Sequence, residues 1–321
     1  MSKCVLVVGA GNLGCRHIQS LELSQEKLDI IVVDLSEEAL LNAKKLLAKE
    51  NVTNKIIYTN SIASVDRPID IAIVATTANS RLAILKELLT QGVKKIILEK
   101  IVFNSLCDID DARELISVNT EAKIWVNCPR RLYPIYQRLK KELMGETFKK
   151  FTVKGDNYGM GCNGIHFIDL VAYLIGDSNY QLSSKRIVGV HESKREGYVE
   201  LVGGLDGAFE SGCQLEMLCG TEGDKAELEL CFILEQGTLI VNEQAGEALL
   251  KRGDSSEIIE FNVPYQSELT GPLVDRIFSE GFCELTTIEE SMTLHYPFIS
   301  AAYEAYAGRF GVNNKKFIPL T

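Results

Sequence analysis

The sequence predicts an α/β protein in which a doubly wound parallel sheet is followed by an α+β domain with a large, mostly antiparallel open sheet. From residue 4 to about 128, short apolar runs alternate with helical patterns, which is typical of βαβ units. From about Lys185 to Phe261 the chain instead shows consecutive strands of period two, separated by Gly-rich turns. At 321 residues the chain is also too long for one ordinary core. We therefore expect two domains, residues 1–128 and 129–321.

The first strand, turn and helix carry the strongest motif of the chain. An apolar run, Val5–Val8, leads directly into Gly9, Gly11 and Gly14, which form a G-x-G-x-x-G pattern followed by helix-compatible residues. In this motif the first glycine allows a sharp turn, the second lets the backbone approach a pyrophosphate, and the third permits close packing of helix on strand. The helix N-terminus then presents unpaired N–H groups to the phosphates. By itself such a pattern is also found in ordinary tight turns.

The second strand supplies the context that favours a dinucleotide. Ile30–Val33 ends in Asp34, twenty residues after Gly14, where a carboxylate can accept hydrogen bonds from an adenosine ribose diol. Leu35 and Ser36 follow, and neither can bind a 2′-phosphate as an Arg or Lys would. The sequence therefore favours NAD(H) over NADP(H).

The remaining elements of the first domain follow in regular order. Ser36 is a candidate N-cap for a helix with one apolar face, and Ser105-x-x-Asp108 resembles a capping box that opens a later helix. A helix from about Ser80 is ended by Gly92. The strands predicted here are Lys55–Thr59, Ile69–Ala75, Lys95–Leu98 and Lys123–Asn127.

The pattern changes at residue 128, where Cys128-Pro129-Arg130-Arg131 interrupts the alternation. The helices predicted beyond this point are Tyr133–Leu143, Gly164–Ile175 and Thr287–Tyr306. The strands predicted there are Phe148–Lys154, Tyr198–Val202, Gln214–Leu218, Ala226–Leu230 and Gly237–Val241.

Composition excludes several classes of protein. The formal net charge of −10 argues against a nucleic-acid partner, which requires clustered Lys and Arg. The sequence contains no stretch of 18 uncharged apolar residues and no signal-peptide pattern. We therefore expect a soluble, cytoplasmic protein that does not associate with membranes. Nine cysteines without a C-x-x-C indicate buried thiols rather than disulfides, and only four histidines argue against a metal centre.

Four segments are expected to meet beyond the carboxyl ends of the parallel strands, where open α/β sheets bind their ligands. These are Gly9–Gly14, Ala75–Asn79, Glu99–Lys100 and Asn127–Arg131. Together with the second sheet, they predict an NAD oxidoreductase whose site lies between the two domains.

The chain resembles the Gfo/Idh/MocA family, the glucose–fructose oxidoreductase and inositol dehydrogenase group. The order and spacing of five segments carry this resemblance, which covers essentially the whole chain. They are GAGNLG at 9–14, ATTANS at 75–80, LEK at 98–100, CPRR at 128–131 and G-x-H-x-x-D at 164–169.

The resemblance implies a catalytic role for Lys100, which matches the lysine of the family's E-K-P motif. An ammonium there can polarise the developing alkoxide or carbonyl of the substrate; the alternative is a surface lysine at a strand end. Ile101 replaces the usual proline, so a cis peptide bond is not expected between Lys100 and Ile101, because a non-proline cis bond costs roughly 3 kcal/mol.

His166 resembles the family's acid–base histidine, since an imidazole titrating near neutrality can take the hydroxyl proton as hydride leaves carbon. Asp169 lies one helical turn further and is given an orienting or structural role. The family's acidic residue four positions before the histidine is Cys162 here, followed by Asn163. Either Asn163 supplies hydrogen bonds in its place, or the chemistry has moved, or it has been lost. We interpret Cys162 as a small buried residue rather than a reactive thiol.

Arg130 and Arg131 can bind a substrate carboxylate or phosphate, or alternatively form salt bridges at the domain interface. His17 is expected to pack against the second domain, and His295 to lie in the core or a subunit contact. His191 is placed in a polar loop and given no role.

We therefore expect an NAD(H)-dependent dehydrogenase that acts on a secondary carbinol or ketone of a sugar-like small molecule, which can be nucleotide-linked. The rival hypothesis is a silent dinucleotide-binding scaffold; a tightly held NAD recycled between two sugars is a third. The sequence does not identify the substrate. One uncovered face of the second sheet predicts a homodimer or homotetramer. The predicted cofactor contacts are Gly9, Gly11, Asn12, Leu13, Gly14, Asp34, Ala75, Thr76, Thr77, Asn79, Glu99 and Lys100, and the predicted substrate contacts are Arg130, Arg131, Asn163, His166 and Asp169.

Overall fold

A computed structural model describes residues 2–49, 52–221, 228–312 and 314–320. In the first half of the chain six strands alternate with four helices. In order they are β1 (Lys3–Val8), α1 (Asn12–Leu21), β2 (Leu28–Val33), α2 (Glu37–Lys49), β3 (Lys55–Thr59), β4 (Ile71–Val74), α3 (Ala78–Thr90), β5 (Lys95–Glu99), α4 (Leu106–Ser117) and β6 (Lys123–Asn127).

The second half contains most of the strands. In order its elements are α5 (Pro134–Glu142), β7 (Phe148–Asp156), α6 (Met160–Ile175), β8 (Tyr180–Glu192), β9 (Val199–Phe209), β10 (Gln214–Gly220), β11 (Glu229–Leu234), β12 (Gly237–Asn242), β13 (Glu247–Arg252), β14 (Ser255–Glu260), α7 (Gln266–Glu280), β15 (Thr286–Thr287) and α8 (Ile288–Phe310). The strand predicted at Ala226–Leu230 begins at Glu229 in the structure, and residues 226 and 227 lie outside the described ranges.

The first sheet has the strand order β15-β6-β5-β4-β1-β2-β3. All pairs are parallel except β15 with β6. In register, Val8 faces both Val33 and Val74, and Glu99 faces Asn127, so these strands end at one common edge. Apart from the edge strand β3, the parallel strands are largely buried, as is typical of a parallel sheet covered by helices. The residues that follow them are thereby placed along one edge, as doubly wound folds require.

The second sheet has the order β14-β13-β12-β11-β7-β10-β9-β8. Among the strands in the described ranges, only β7 and β10 of this sheet pair in parallel. Alternate residues such as Phe151, Val153 and Met217 are buried, and α6 packs against β7, β9 and β10. Gly164 allows this approach, because a Cβ there would lie 2.9 Å from Met217 Cε. The predicted fold class, a doubly wound parallel sheet with a mostly antiparallel second sheet, is confirmed.

The chain forms two compact units that are not continuous in sequence. The described residues of 1–103, 110–129 and 264–288 form the first unit, and those of 104–109, 130–263 and 289–321 form the second. α7 and β15 thus return to the first unit although they follow residue 128, and the short segment 104–109 groups with the second unit. Gly271 within α7 allows this return, because its N–H donates to Ser20 Oγ (3.0 Å) and any Cβ there would clash with the Ser20 carbonyl oxygen.

All nine cysteines lie in described residues and are free thiols, of which six are buried, Cys162 and Cys231 are half-buried, and Cys107 is exposed. No helix in the described part of the chain has the length and apolar character needed to cross a membrane.

Candidate active site

The glycine turn after β1 has the shape that a dinucleotide pyrophosphate requires. Gly9 has φ +107°, a conformation that L side chains rarely adopt, and a Cβ on Gly14 would clash with the Gly9 carbonyl oxygen. At Gly11, by contrast, a Cβ would meet nothing within 4 Å. Gly11 is the N-cap of α1, and no side chain caps that helix. The turn therefore leaves open space in front of the N–H groups of α1, where an anion is stabilised.

Asp34 lies beside this turn. Its carboxylate accepts hydrogen bonds from the backbone N–H groups of Ala10 (2.7 Å) and Ser36 (2.9 Å). Each carboxylate oxygen retains acceptor capacity for a ribose hydroxyl. The next side chain, Leu35, is 90% exposed and carries no charge. The glycine turn and Asp34 together fit an adenine dinucleotide.

Replacing two glycines of the turn by Ala, one at a time, distinguishes a glycine needed for stability from one needed for NADH binding. Gly14→Ala is expected to reduce the free energy of unfolding by about 1–3 kcal/mol, because its Cβ clashes with backbone. Gly11→Ala should leave the unfolding free energy nearly unchanged and weaken NADH binding about tenfold or more, because its Cβ enters the space predicted for the pyrophosphate. Urea denaturation and NADH fluorescence titration measure the two effects. Equal NADH affinity for Gly11→Ala and wild type would contradict the placement of the pyrophosphate.

The predicted segment Ala75–Asn79 follows β4, with Thr77 as the N-cap of α3. Arg81, on α3, was not predicted as a site residue and is only 1% exposed. Its guanidinium donates hydrogen bonds to the carbonyl oxygens of Thr76, Ile101 and Val102. Arg81 therefore joins the chain after β4 to the chain after β5. A buried Arg on a helix gives no periodic sequence pattern, which is why it was missed.

Lys100 follows the last residue of β5 and is half-buried. The Lys100–Ile101 peptide bond is cis, so the prediction of a trans bond is wrong. The prediction was based only on the absence of proline at position 101. In the folded chain, Ile101 is fully buried and its carbonyl oxygen accepts a hydrogen bond from Arg81.

A buried hydrogen-bond network surrounds the residue before Lys100. Glu99 is 3% exposed, and its Oε1 accepts from Asn127 Nδ2 and pairs with His17 Nε2 at 3.0 Å. His17 Nδ1 pairs with Thr270 Oγ1 at 2.8 Å, and Gln266 Nε2 donates to the same hydroxyl at 3.0 Å. Thr270 and Gln266 lie on α7. His17 thus contacts a helix from beyond residue 128, as expected, but that helix belongs to the first unit.

The network keeps Glu99 ionised. Burial alone would raise the pKa of this carboxyl, but the hydrogen bonds from His17 and Asn127 and the charges of His17 and Lys100 lower it, and the net pKa lies below its ordinary value. Lys100 is therefore preceded in sequence by a residue whose carboxylate is held in place and ionised.

In the second unit, α6 carries His166, which is half-buried, and Asp169, which is 1% exposed. Asp169 accepts a hydrogen bond from Arg131 Nε at 2.8 Å. The side-chain amide of Asn163 donates to the carbonyl oxygen of Tyr158 at 2.6 Å. Part of the hydrogen-bonding capacity of Asn163 is thus used within its own unit.

Both predicted anion-binding arginines have carboxylate partners inside the second unit. Arg130 donates to Glu243 through Nε (2.8 Å) and Nη2 (2.7 Å), and Arg131 contacts both Asp169 and Glu290. Burial alone would lower the pKa of each guanidinium, but these carboxylates raise it above the ordinary value, so both groups stay charged. Both arginines therefore form salt bridges, which was one of the two alternatives for them. Each ion pair joins residues of the second unit, whereas salt bridges at the domain interface were expected.

A carboxylate that the sequence analysis missed lies at the start of α6. Glu200, on β9, accepts hydrogen bonds from the backbone N–H groups of Gly161 (2.7 Å) and Cys162 (3.4 Å). Glu200 is 38 or more residues away along the chain, so no local pattern could have linked it to this helix.

The two remaining histidines take no part in these clusters. His295 is fully buried, and its Nδ1 lies 2.8 Å from the Ser291 carbonyl oxygen, so the expected core placement is confirmed. His191 lies in β8, which corrects its predicted placement in a loop. Within the described ranges, no group of three or more His, Cys, Asp or Glu is arranged to hold a metal ion.

The glycine turn, Asp34 and the 3-2-1-4-5-6 order of the parallel strands define an NAD-binding Rossmann fold. Residues 3–127 match the family model GFO_IDH_MocA, described as an oxidoreductase family with an NAD-binding Rossmann fold, so this part of the chain is similar to that family. The predicted resemblance and the NAD cofactor are thereby confirmed.

Solved structures with the same fold cover nearly the whole chain. An oxidoreductase from Agrobacterium radiobacter in complex with NAD+, L-tartaric acid and magnesium is 14% identical, with a TM-score of 0.73 over 96% of this chain and 98% of that one. UDP-N-acetylglucosamine 3-dehydrogenase from Acidithiobacillus ferrooxidans is 12% identical, with a TM-score of 0.72 over 98% and 99%. The scyllo-inositol dehydrogenase from Lactobacillus casei with NAD(H) and scyllo-inositol is 15% identical, with a TM-score of 0.68 over 95% and 97%. A search of curated protein sequences finds no significant match.

Proposed function

We propose that the protein is an NAD(H)-dependent dehydrogenase or reductase acting on a secondary carbinol or ketone of a sugar, cyclitol or sugar derivative, including nucleotide-linked sugars. The observation that carries this proposal is the position of Lys100. It follows β5 at the same sheet edge as the glycine turn and comes directly after a buried, ionised Glu99. Similar folds in an inositol dehydrogenase and a nucleotide-sugar dehydrogenase support the substrate class.

In this proposal each side chain has a defined chemical role. The nicotinamide, when bound, supplies the site that accepts or returns the hydride. Lys100 donates a hydrogen bond to the substrate oxygen and stabilises its developing negative charge. His166 takes the hydroxyl proton during oxidation and returns it during reduction.

The proposed cofactor contacts are those expected from the sequence, with Gly9–Gly14 and Asp34 supported by the open space and the carboxylate described above. Among the proposed substrate contacts, Asn163 and His166 are retained. The mutual contacts of Arg131 and Asp169, and of Arg130 and Glu243, favour structural roles for these residues.

Asp34 is proposed to select NADH over NADPH. Asp34→Ala should weaken NADH binding about 10- to 100-fold, because the ribose diol loses a charge-assisted hydrogen bond of about 1.5–3 kcal/mol. Fluorescence titration with NADH and NADPH measures the effect, and Asp66→Ala, which alters an exposed Asp of the same unit, is the matched control. Tighter binding of NADPH than NADH to the wild-type protein would contradict this assignment.

The experiment that tests the function is an NADH fluorescence titration followed by an absorbance screen at the nicotinamide band against sugars, cyclitols, sugar acids and nucleotide sugars. Turnover that disappears in His166→Ala would support the proposal. NADH binding without turnover across the panel would instead favour a dinucleotide-binding scaffold, for which Cys162 and Ile101 are the supporting features. Absence of NADH binding would overturn both.

A further inference from the structure

Three polar side chains converge at the first turn of α6. Gly159, the N-cap of this helix, has φ +74° and lacks a side chain. A Cβ on Gly159 would lie 3.0 Å from Cys162 Sγ, 3.2 Å from Asn163 Nδ2 and 3.2 Å from Glu200 Oε1. The thiol, the amide and the carboxylate therefore surround one point. We call these four residues, Gly159, Cys162, Asn163 and Glu200, the Gly159 cradle.

The carboxylate of the cradle is held in place by the helix itself. Glu200 Oε2 accepts from the N–H groups of Gly161 and Cys162, and a Cβ on Gly161 would lie 2.8 Å from the same oxygen. Two glycines thus make the space that admits the carboxylate. A negative charge is favoured at a helix N-terminus, because unpaired N–H groups and the helix dipole point toward it.

His166 lies one helical turn beyond this cradle. Residues 162 and 166 are four apart, and residues 163 and 166 three apart, so they share a face of α6. Long side chains on a helix lean toward its N-terminus, over the residues three and four positions earlier. The Glu200 carboxylate lies at the turn that precedes His166 on this helix, where it accepts from Gly161 and Cys162 N–H.

We propose that Glu200 is the positioning residue for His166: its carboxylate orients the imidazole and stabilises the imidazolium formed when His166 takes the substrate proton. This inference rests on the proposed function, in which His166 is the acid–base group. Cys162 stands on this helix face where the resemblance predicts an acidic residue. In our proposal the missing carboxylate is supplied by Glu200 from β9.

Several other titratable groups on or near α6 have partners of their own or raised pKa values. Burial, followed by the charges of Cys219 and Glu200, raises the pKa of Tyr158 well above its ordinary value, and burial likewise raises the pKa of Cys219. Asp169 and Glu290 share Arg131. On α5, Tyr136 donates to Glu243, and Lys140 donates to backbone carbonyl oxygens near the C-terminal end of α6.

The competing explanation is that Glu200 only caps α6, and the variant Glu200→Gln separates the two. The Gln carbonyl oxygen can still accept from Gly161 N–H, so the cap persists while the charge is removed. NMR titration of protein carrying 13Cε1-labelled histidine gives the pKa of His166, with His166→Gln identifying its signal among the four histidines. Removing a nearby carboxylate destabilises the imidazolium, so we expect the pKa of His166 to fall by about one pH unit in Glu200→Gln.

The matched control is Glu216→Gln, which changes a carboxylate on β10 that pairs with Lys150 and Arg186. It should leave the pKa of His166 unchanged. Adding Cys162→Asp to Glu200→Gln should restore the pKa, since it places a carboxylate one turn before His166. An identical pKa of His166 in Glu200→Gln and wild type would overturn the inference.

Kinetics with a substrate found in the screen give a second readout. Glu200→Gln should lower kcat for oxidation about 10-fold or more while NADH affinity is unchanged. Wild-type rates in Glu200→Gln would overturn the positioning role. The two proposals fail separately, because missing NADH binding overturns the proposed function, whereas an unchanged pKa of His166 overturns the role of Glu200 even where turnover is found.

Discussion

Lys100→Met is expected to lower kcat about 10²- to 10³-fold while NADH affinity changes by less than about threefold. The reason is that an ammonium donor aimed at a developing alkoxide stabilises the transition state much more than the ground state, and one such donor typically contributes this factor. Met preserves the length and most of the volume of the side chain, so the buried Glu99 network beneath it should persist. Steady-state kinetics and NADH fluorescence titration measure the two quantities.

The control for this variant is Lys94→Met, which changes an exposed lysine immediately before β5, at the opposite end of the strand. It should match the wild type in both measurements. A Lys100→Met protein that keeps wild-type kcat would remove Lys100 from the chemistry, and the surface-lysine alternative would then describe it.

Arg131→Ala is expected to have the largest effect on stability, a loss of about 3–5 kcal/mol in the free energy of unfolding. Arg131 holds Asp169, which is almost fully buried, together with Glu290. Removing one member of a buried ion pair leaves a charge without compensation, and that cost exceeds the net strength of the original pair. Urea denaturation, which does not screen charges, measures the change.

Arg138→Ala is the matched control, because Arg138 is 44% exposed in its side chain and pairs with Glu142 and Glu257. An exposed ion pair is worth about 0–1 kcal/mol, so this variant should remain close to wild type. Should Arg131→Ala lose substrate affinity but no stability, the anion-binding hypothesis for Arg131 would replace the structural one.

The second unit shows why the contact partner of a side chain is harder to predict from sequence than the place of its residue along the chain. His166, Asp169 and Arg131 were all singled out from the sequence, and each lies on or beside α6. The sequence left open whether Arg131 binds a substrate, because an arginine before a helix has the same local pattern in either role. Only the contact with Asp169, 38 residues away, distinguishes them.

The sequence by itself determined the alternation of strands and helices, the glycine turn, the place of Asp34 and the antiparallel character of the second sheet. Each of these depends on local requirements, namely the periods of apolar residues, a positive φ at Gly9 and the absence of a Cβ at Gly14. The tertiary structure alone decided that α7 and β15 join the first unit, that the Lys100–Ile101 bond is cis, and that Glu200 reaches α6. Such features involve groups far apart in sequence, for example Gly271 with Ser20 or Glu200 with Gly161, and such pairs leave no periodic trace in the chain.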